Sequence, residues 1–141
     1  MTAPETKTVV VEREFAHPPG KLWRALTQPH LIAEWLMQND FAPQVGHRFN
    51  LRGEWGGTLD CEVLAIEPGE SLSYTWDHDH HDPAFRLKSV VTFTLTPTAG
   101  GTRLRMEQAG FQPHQKQAYG GAHAGWKKFL ENLDAVAGRL D

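Results

Sequence analysis

The hydrophobic pattern of this chain changes its period once, after Gly110, and this change constrains the fold more than any other feature. Before Gly110, apolar residues recur at every second position in short runs separated by Gly- and Pro-containing turns, which is typical of half-buried strands. From Tyr119 to Leu140 they recur at spacings of three and four, which predicts an amphipathic helix of about five to seven turns. Strands joined by tight turns pair antiparallel, and their sheet needs cover on one face. The sequence therefore predicts an α+β domain in which a curved antiparallel sheet wraps around one long C-terminal helix.

The predicted order of elements is one strand, two short helices, five further strands and the long helix. The first strand runs from Lys7 to Phe15, and Pro19 suits the start of the first helix because a backbone N–H there would have no helical partner. Residues 1–6 are predicted to be a flexible N-terminal arm, and residues 7–141 a single domain. Residues 39–46 are predicted to form a loop. The later strands, which bring the sheet to about six, are predicted at residues 47–55, 58–67, 71–76, 87–96 and 102–108.

Composition is that of a small globular protein and excludes several functions. Of the 141 residues 40% are apolar, which is enough to fill a core. No apolar run approaches the ~20 residues of a membrane span, and the N-terminus lacks the pattern of a secretory signal, so we expect a cytoplasmic protein. With 14 basic and 17 acidic residues, the chain has no general attraction to nucleic acid. The lone cysteine, Cys61, is predicted to be an inert buried thiol.

The chain lacks the motifs that hold common cofactors. Neither Gly56-Gly57 nor Gly100-Gly101 leads into the Lys-Ser/Thr of a phosphate-binding loop, and no Gly-x-Ser-x-Gly nucleophile elbow occurs. Residues 77–82 read Asp-His-Asp-His-His-Asp, and such side chains are ligands for zinc, copper or nickel. Adjacent ligands on one loop rarely close a tetrahedral site, so the favoured interpretation is a solvated loop at the mouth of a cavity. We therefore expect no cofactor and no resident metal.

Four segments of the chain carry a resemblance to a known family. They are the opening FAHPPGKLWRALTQPHLIAEWL, the hairpin GTLDCEVLAIEPGESLSYTW, the last hairpin SVVTFTLTPTAGGTRLRMEQAGF and the helix HAGWKKFLENL. Together, from about Val9 to Leu133, they resemble the START-like (SRPBCC), helix-grip superfamily, in its branch similar to the C-terminal domain of the activator of Hsp90 ATPase. The resemblance implies a deep, largely apolar cavity between the sheet and the long helix. It does not imply one function, because this fold hosts lipid carriers, hormone receptors, cyclases, self-resistance proteins and co-chaperone modules.

The inward-facing positions of the predicted elements are rich in aromatic residues, which supports an apolar cavity independently of the resemblance. A curved sheet cannot touch a straight helix along its full length, and Gly121 and Gly125 widen the gap at one end. Two other interpretations stay open: the aromatic residues fill a solid core, or the glycines mark a frayed helix start near His123. Ligand pockets are typically ~300–1,000 Å³ and apolar, with a few convergent polar groups. The predicted ligand-binding residues are Arg13, Trp35, Phe49, Trp55, Tyr74, Trp76, Phe93, Met106, Gln108, His123, Trp126 and Phe129.

Three functions remain open from the sequence. The first is binding of a small hydrophobic or aromatic molecule in the cavity. The second, implied by the resemblance, is interaction with an Hsp90 homologue, although the chain has no room for the activator's separate N-terminal domain. The third is an enzyme such as a cyclase or hydrolase, with His123 and Arg13 as candidates and Tyr74 as proton donor. A first strand at a sheet edge would also allow a homodimer, and a role in stress response is compatible with each function.

Overall fold

The change of period at Gly110 marks the change from sheet to helix in the folded chain. The structure, a computed structural model, describes residues 6–54, 56–83 and 86–140. Its elements, in chain order, are β1 (Lys7–Phe15), α1 (Pro19–Thr27), α2 (Pro29–Trp35), β2 (Gln38–Asn39), β3 (Arg48–Arg52), β4 (Thr58–Glu67), β5 (Ser71–His78), β6 (Leu87–Thr98), β7 (Gly101–Phe111) and α3 (Lys116–Gly138). The predicted α+β helix-grip fold is confirmed.

All seven strands form one antiparallel sheet in the order β1-β7-β6-β5-β4-β3-β2. From β2 to β7 each strand pairs with the next along the chain, whereas β1 joins against the last strand, β7. Alternate residues are buried along most of every strand except β2, and α3 packs on that inner face. The sheet and α3 thereby enclose the hydrophobic core between them.

The sheet extends beyond the prediction at several places. Strand β5 continues through Asp77 and His78, which were predicted to begin a loop, and β6 reaches Thr98, because backbone pairing continues past the alternating apolar residues. Two-residue strand β2 pairs with β3 and begins one residue before the predicted loop, because two residues carry too little pattern to reveal a strand. Strand β7 continues to Phe111 through Gly110, whose φ is +123°. A Cβ atom at Gly110 would lie 2.5 Å from the carbonyl oxygen of Lys88, so only glycine lets β7 approach β6 this closely.

Helix α3 begins earlier than the frayed-start interpretation expected, and that interpretation is wrong. The helix starts at Lys116 and includes all the glycines of its first half. The preceding residue, Gln115, is buried, and its side chain fixes the helix start. Its Oε1 accepts a hydrogen bond from the Gln112 N–H at 2.9 Å, and its Nε2 donates to the carbonyl oxygen of Arg86. The start of α3 is therefore tied to the segment that leads into β6.

Candidate functional site

Several of the predicted ligand-binding residues pack against one another in the core. Ring centroids lie 5.2 Å apart for Phe49 and Tyr74, and 6.0 Å apart for Tyr74 and Phe93. Trp35 meets Phe93 edge to face at 6.2 Å, and Met106 is completely buried. Such aromatic pairs stabilise a core beyond the area that they bury. In most of the interior, then, the aromatic side chains are in mutual contact, as the solid-core interpretation expected.

A hollow of about 150 Å³ remains between the sheet and the first half of α3. It lies beneath Trp126, at the end of the interior where the glycines of α3 widen the gap. It is smaller than the deep cavity expected from the resemblance, because the aromatic residues fill the remaining space. Its walls are aromatic rings and small residues, chiefly Trp76, Phe111, Trp126, Phe129, Gly121 and Gly125.

Two glycines of α3 border this hollow. A Cβ atom built at Gly121 or Gly125 meets no atom within 4 Å, so a larger residue would fit at either position. Each glycine in a helix costs about 0.8–1 kcal/mol relative to alanine. The chain therefore carries a cost in helix stability at two positions where side chains would reduce the space beneath the helix.

A buried chain of hydrogen bonds runs along one wall of the hollow. Trp126 Nε1 donates to Gln108 Oε1 at 2.8 Å, and Gln108 Nε2 donates to Ser89 Oγ at 3.0 Å. Ser89 Oγ in turn donates to the carbonyl oxygen of Trp76 at 2.7 Å. Because an indole N–H can only donate, Trp126 determines which end of the Gln108 amide is oxygen. Gln108 therefore faces inward, as its phase in the strand predicted, and it is 1% exposed.

Sequence reasoning did not single out Ser89 or Gln115, the other polar residues that these networks hold in place. Ser89 shares the inward phase of Val91 and Phe93 in β6, so an inward polar residue was a detectable signal there. Gln115 precedes the helix, where no periodicity points to burial. Both are at most 5% exposed.

Arg13 lies outside the hollow and forms a partly exposed ion pair. Its Nη2 donates to Asp134 Oδ2 at 3.4 Å, and its guanidinium is 37% exposed. His17 Nε2 lies 2.9 Å from the other oxygen of the same carboxylate. Asp134 is nine residues beyond Gly125 on α3, which corresponds to about 13 Å along the helix axis. These contacts fasten β1 and the chain after it to the second half of α3.

Replacing Arg13 with alanine should leave binding of aromatic probes in the hollow unchanged. Stability should fall by less than about 1 kcal/mol, because partly exposed ion pairs contribute little. Thermal denaturation and a probe titration of the variant measure both quantities. A tenfold loss of affinity would instead place Arg13 in the site.

The remaining candidates for catalysis are not brought together at the hollow. His123 is half-buried on α3 and Tyr74 is buried on β5, and neither of them nor Arg13 lines the hollow. Burial raises the pKa of the Tyr74 hydroxyl well above its ordinary value, with a smaller contribution from Cys61. Trp55, which was also predicted to bind ligand, lies outside the described residues. The predicted enzymatic trio thus stays a hypothesis without a shared pocket.

Cys61 is buried on the inner face of β4, as expected for an inert thiol. Burial is the main cause of a strongly raised thiol pKa, and the nearby carboxylates of Asp77, Asp60 and Asp40 raise it further. The thiolate form, which is the nucleophile, is therefore disfavoured in the folded protein.

Native Cys61 should resist alkylation by iodoacetamide at pH 8 and react once the chain is unfolded.

The raised pKa of Cys61 also implies that the protein loses stability at alkaline pH. Above about pH 8.5 the unfolded thiol ionises while the folded thiol stays protonated, so the unfolding free energy falls by up to about 1.4 kcal/mol per pH unit. Below that pH the thiol has no effect. Denaturant unfolding between pH 7 and pH 10, with Cys61→Ala as the control that lacks this slope, measures the effect. Rapid labelling of the native protein by iodoacetamide would contradict the predicted protection of the Cys61 thiol.

A second, larger cleft of about 360 Å³ opens at the surface on another side of Phe129. Phe129 lines both the cleft and the hollow, and Trp35 and Met37 contribute apolar wall to the cleft. Its rim carries the exposed residues Arg52 and Glu54, so its character is mixed. The cleft therefore has walls of mixed polarity, whereas the lining of the hollow is mainly apolar.

Neither a metal centre nor a membrane-spanning helix is present in the part of the chain that the structure describes. No three His, Cys, Asp or Glu side chains among residues 6–54, 56–83 and 86–140 come together to hold a metal ion. Of residues 77–82, predicted as one loop, Asp77 and His78 belong to strand β5, and the rings of His80 and His81 stack at 4.3 Å. No helix within the same residues is long and apolar enough to cross a bilayer.

A sheet that wraps one long helix, with an apolar hollow left between them, defines a START-like protein of the helix-grip class. Residues 16–138 match the family described as Activator of Hsp90 ATPase homolog 1-like protein. The chain belongs to this family, and the resemblance seen in its sequence is confirmed.

Solved structures share the fold over nearly the whole chain. Protein MLL2253 from Mesorhizobium loti is 67% identical, with a TM-score of 0.93 over 96% of this chain and 99% of its own. BH1534 from Bacillus halodurans is 25% identical, with a TM-score of 0.80 over 96% and 99% of the two chains. DynU16, from the dynemicin biosynthetic locus, is 23% identical, with a TM-score of 0.81 over 94% of this chain and 47% of its own, and this likeness shows the fold alone. No curated protein matches the chain.

Proposed function

We propose that this protein binds a small hydrophobic or aromatic molecule in the hollow beneath Trp126. The observation that carries the proposal is the aromatic-walled hollow itself, bordered on α3 by Gly121 and Gly125, where an added side chain would meet no other atom. A pocket with apolar walls and one buried amide, that of Gln108, has the usual composition of a small-molecule site. Occurrence of the fold in DynU16, within a biosynthetic locus, is compatible with a role toward small organic molecules.

A panel of aromatic compounds graded by size tests this proposal. An engineered apolar cavity of ~150 Å³ accepts benzene, so compounds with one ring, such as toluene and acetophenone, are expected to bind. Naphthalene and flavone should bind only if Phe129 moves. Binding is followed by tryptophan fluorescence and melting temperature, since a ligand at 100 times its Kd stabilises a protein by about 2.7 kcal/mol. No response to any member, together with a native mass spectrum free of bound small molecules, would refute the proposal.

Family membership favours a second candidate function, interaction with an Hsp90 homologue. A pull-down and an ATPase assay with the homologue from the same organism test it. Absence of binding at tens of micromolar protein would reject it. The two candidates separate cleanly, because filling the hollow from Gly125 should affect small-molecule binding and leave a surface contact intact.

Two expectations accompany both candidates. The first is a cytoplasmic location, where a stress-response role remains open, and it is tested by fractionation of cells. The second is a homodimer formed through β1, which lies at one edge of the described sheet. Size-exclusion chromatography with light scattering distinguishes monomer from dimer.

A further inference from the structure

We infer that the hollow selects an uncharged aromatic carbonyl compound, one ring bearing a ketone or aldehyde oxygen that accepts hydrogen bonds from Trp76 and Gln108. This inference rests on the proposed function and names the chemistry of its ligand. It follows from the size of the hollow, the donors at its wall and the absence of charged side chains among its described lining residues.

The size and the walls of the hollow favour a single ring. At about 150 Å³ it matches the volume of an engineered apolar cavity that binds benzene. The rings of Trp76 and Trp126 lie 5.2 Å apart, and Phe129 meets Trp126 edge to face at 5.5 Å. Such rings offer both faces and edges to an aromatic guest.

Trp76 supplies an unused donor at this wall. The residue lines the hollow and is 7% exposed. Its indole N–H makes no hydrogen bond to any residue that the structure describes, whereas the indole groups of Trp35 and Trp126 both have acceptors. Among the described residues, no fully buried side-chain nitrogen or oxygen is left without a partner, so the Trp76 nitrogen must retain access to open space. An indole N–H can only donate, so this nitrogen is free to donate to water or to the oxygen of a ligand.

Gln108 adds a second donor. Its Oε1 is taken by the N–H of Trp126, which places Nε2, with two hydrogens, on the other side of the amide. Ser89 Oγ takes one of these hydrogens at 3.0 Å, and the second remains available. The hollow therefore offers N–H groups to a ligand, and an oxygen acceptor satisfies them better than an amine would.

The charge of the ligand follows from the same residues. No Lys, Arg, Asp or Glu side chain lines the hollow in the described part of the chain, and its other walls are apolar. Burying an unpaired charge there would be costly. A ketone or aldehyde accepts hydrogen bonds without carrying a charge, which a carboxylate or an ammonium group does not.

The test compares acetophenone with α-methylstyrene, which has the same shape but a CH₂ group in place of the carbonyl oxygen. Affinities for the wild-type protein and for Trp76→Phe, which keeps an aromatic ring but lacks the N–H, are measured by ligand-observed NMR. Acetophenone should lose about tenfold in affinity in the variant, and α-methylstyrene less than about threefold. Trp23→Phe is the matched control, because Trp23 on α1 is partly buried and lines neither the hollow nor the cleft, and it should change neither affinity.

The outcomes separate this inference from the proposed function. Equal losses for the two compounds in Trp76→Phe, or binding of α-methylstyrene alone to the wild type, would overturn the carbonyl selectivity and leave a hydrocarbon-binding hollow. Failure of both compounds to bind the wild-type protein would overturn this inference alone if another member of the aromatic panel binds, and the proposed function as well if none does and the native mass spectrum shows no bound small molecule.

Discussion

Gly125→Leu is expected to weaken binding of one-ring aromatic compounds by about 100-fold while the protein stays folded. The leucine side chain would occupy space that the ligand needs, and forcing both into one volume costs on the order of 1–3 kcal/mol or more. The variant should nevertheless be slightly more stable than the wild type. No atom lies within 4 Å of a Cβ at this position, and a helical glycine is replaced by a strong helix former, which gains about 0.8 kcal/mol.

Gly120→Leu is the matched control for this prediction. Gly120 lies in the same helix, is exposed, has equal room for a Cβ atom and does not line the hollow. It should give the same gain in melting temperature with unchanged affinity. Titration calorimetry and thermal denaturation of the two variants decide the matter. Equal affinities for Gly125→Leu and the wild type would show that the ligand binds elsewhere.

Trp126→Ala should lower the free energy of unfolding by about 3–5 kcal/mol, a large fraction of the stability of a small domain. Trp126 is 2% exposed, and its ring contacts those of Trp76 and Phe93 at 5.2 and 5.7 Å. The substitution also removes the partner of the buried Gln108 amide. A change of this size in a domain of 141 residues corresponds to a fall on the order of 10–20 °C in melting temperature.

Trp126→Phe separates the two contributions. It keeps most of the ring packing and removes only the N–H, so the expected loss is about 1–3 kcal/mol, the cost of an unpaired buried polar group. Urea denaturation of both variants gives the two losses. Similar values for phenylalanine and alanine would assign the effect to the hydrogen bond, and a loss below about 1 kcal/mol for alanine would contradict the structure of this core.

The fold could be predicted from the sequence because its signals are local and repeated. The alternation before Gly110 and the helical spacing after it both involve residues close together in sequence, and both patterns arise because one face of each element is buried. Strand β2 was not detected, since it consists of two residues whose pairing with β3 is set by the chain around them. The start of α3 was equally hidden, because the glycines weaken the helical pattern while Gln115 supplies a tertiary anchor through its hydrogen bond to the carbonyl oxygen of Arg86.

The site was predictable only in part. The alternation along the strand correctly placed Gln108 on the inner face of the sheet. The helical spacing placed Trp126 and the glycines on the face of α3 that lies beside Gln108. The position of a residue in a strand does not reveal which partner its side chain finds. From the sequence, Arg13 could have bound a ligand, whereas the structure pairs it with Asp134, which is 121 residues away in sequence. Alternation along a strand also does not give the volume of a cavity. Whether Phe49 and Phe93 leave a gap depends on packing distances that no sequence pattern encodes.

The central claim is that the space beneath Trp126 is an apolar hollow that a ligand can enter. Diffraction from crystals held under xenon pressure tests it most directly, because xenon occupies dry apolar cavities and reports their position. We expect a xenon atom between Gln108 and Gly125 in the wild-type protein and none in Gly125→Leu. Wild-type crystals with no xenon there, or with the rings of Trp126 and Phe129 closed over that position, would contradict the claim.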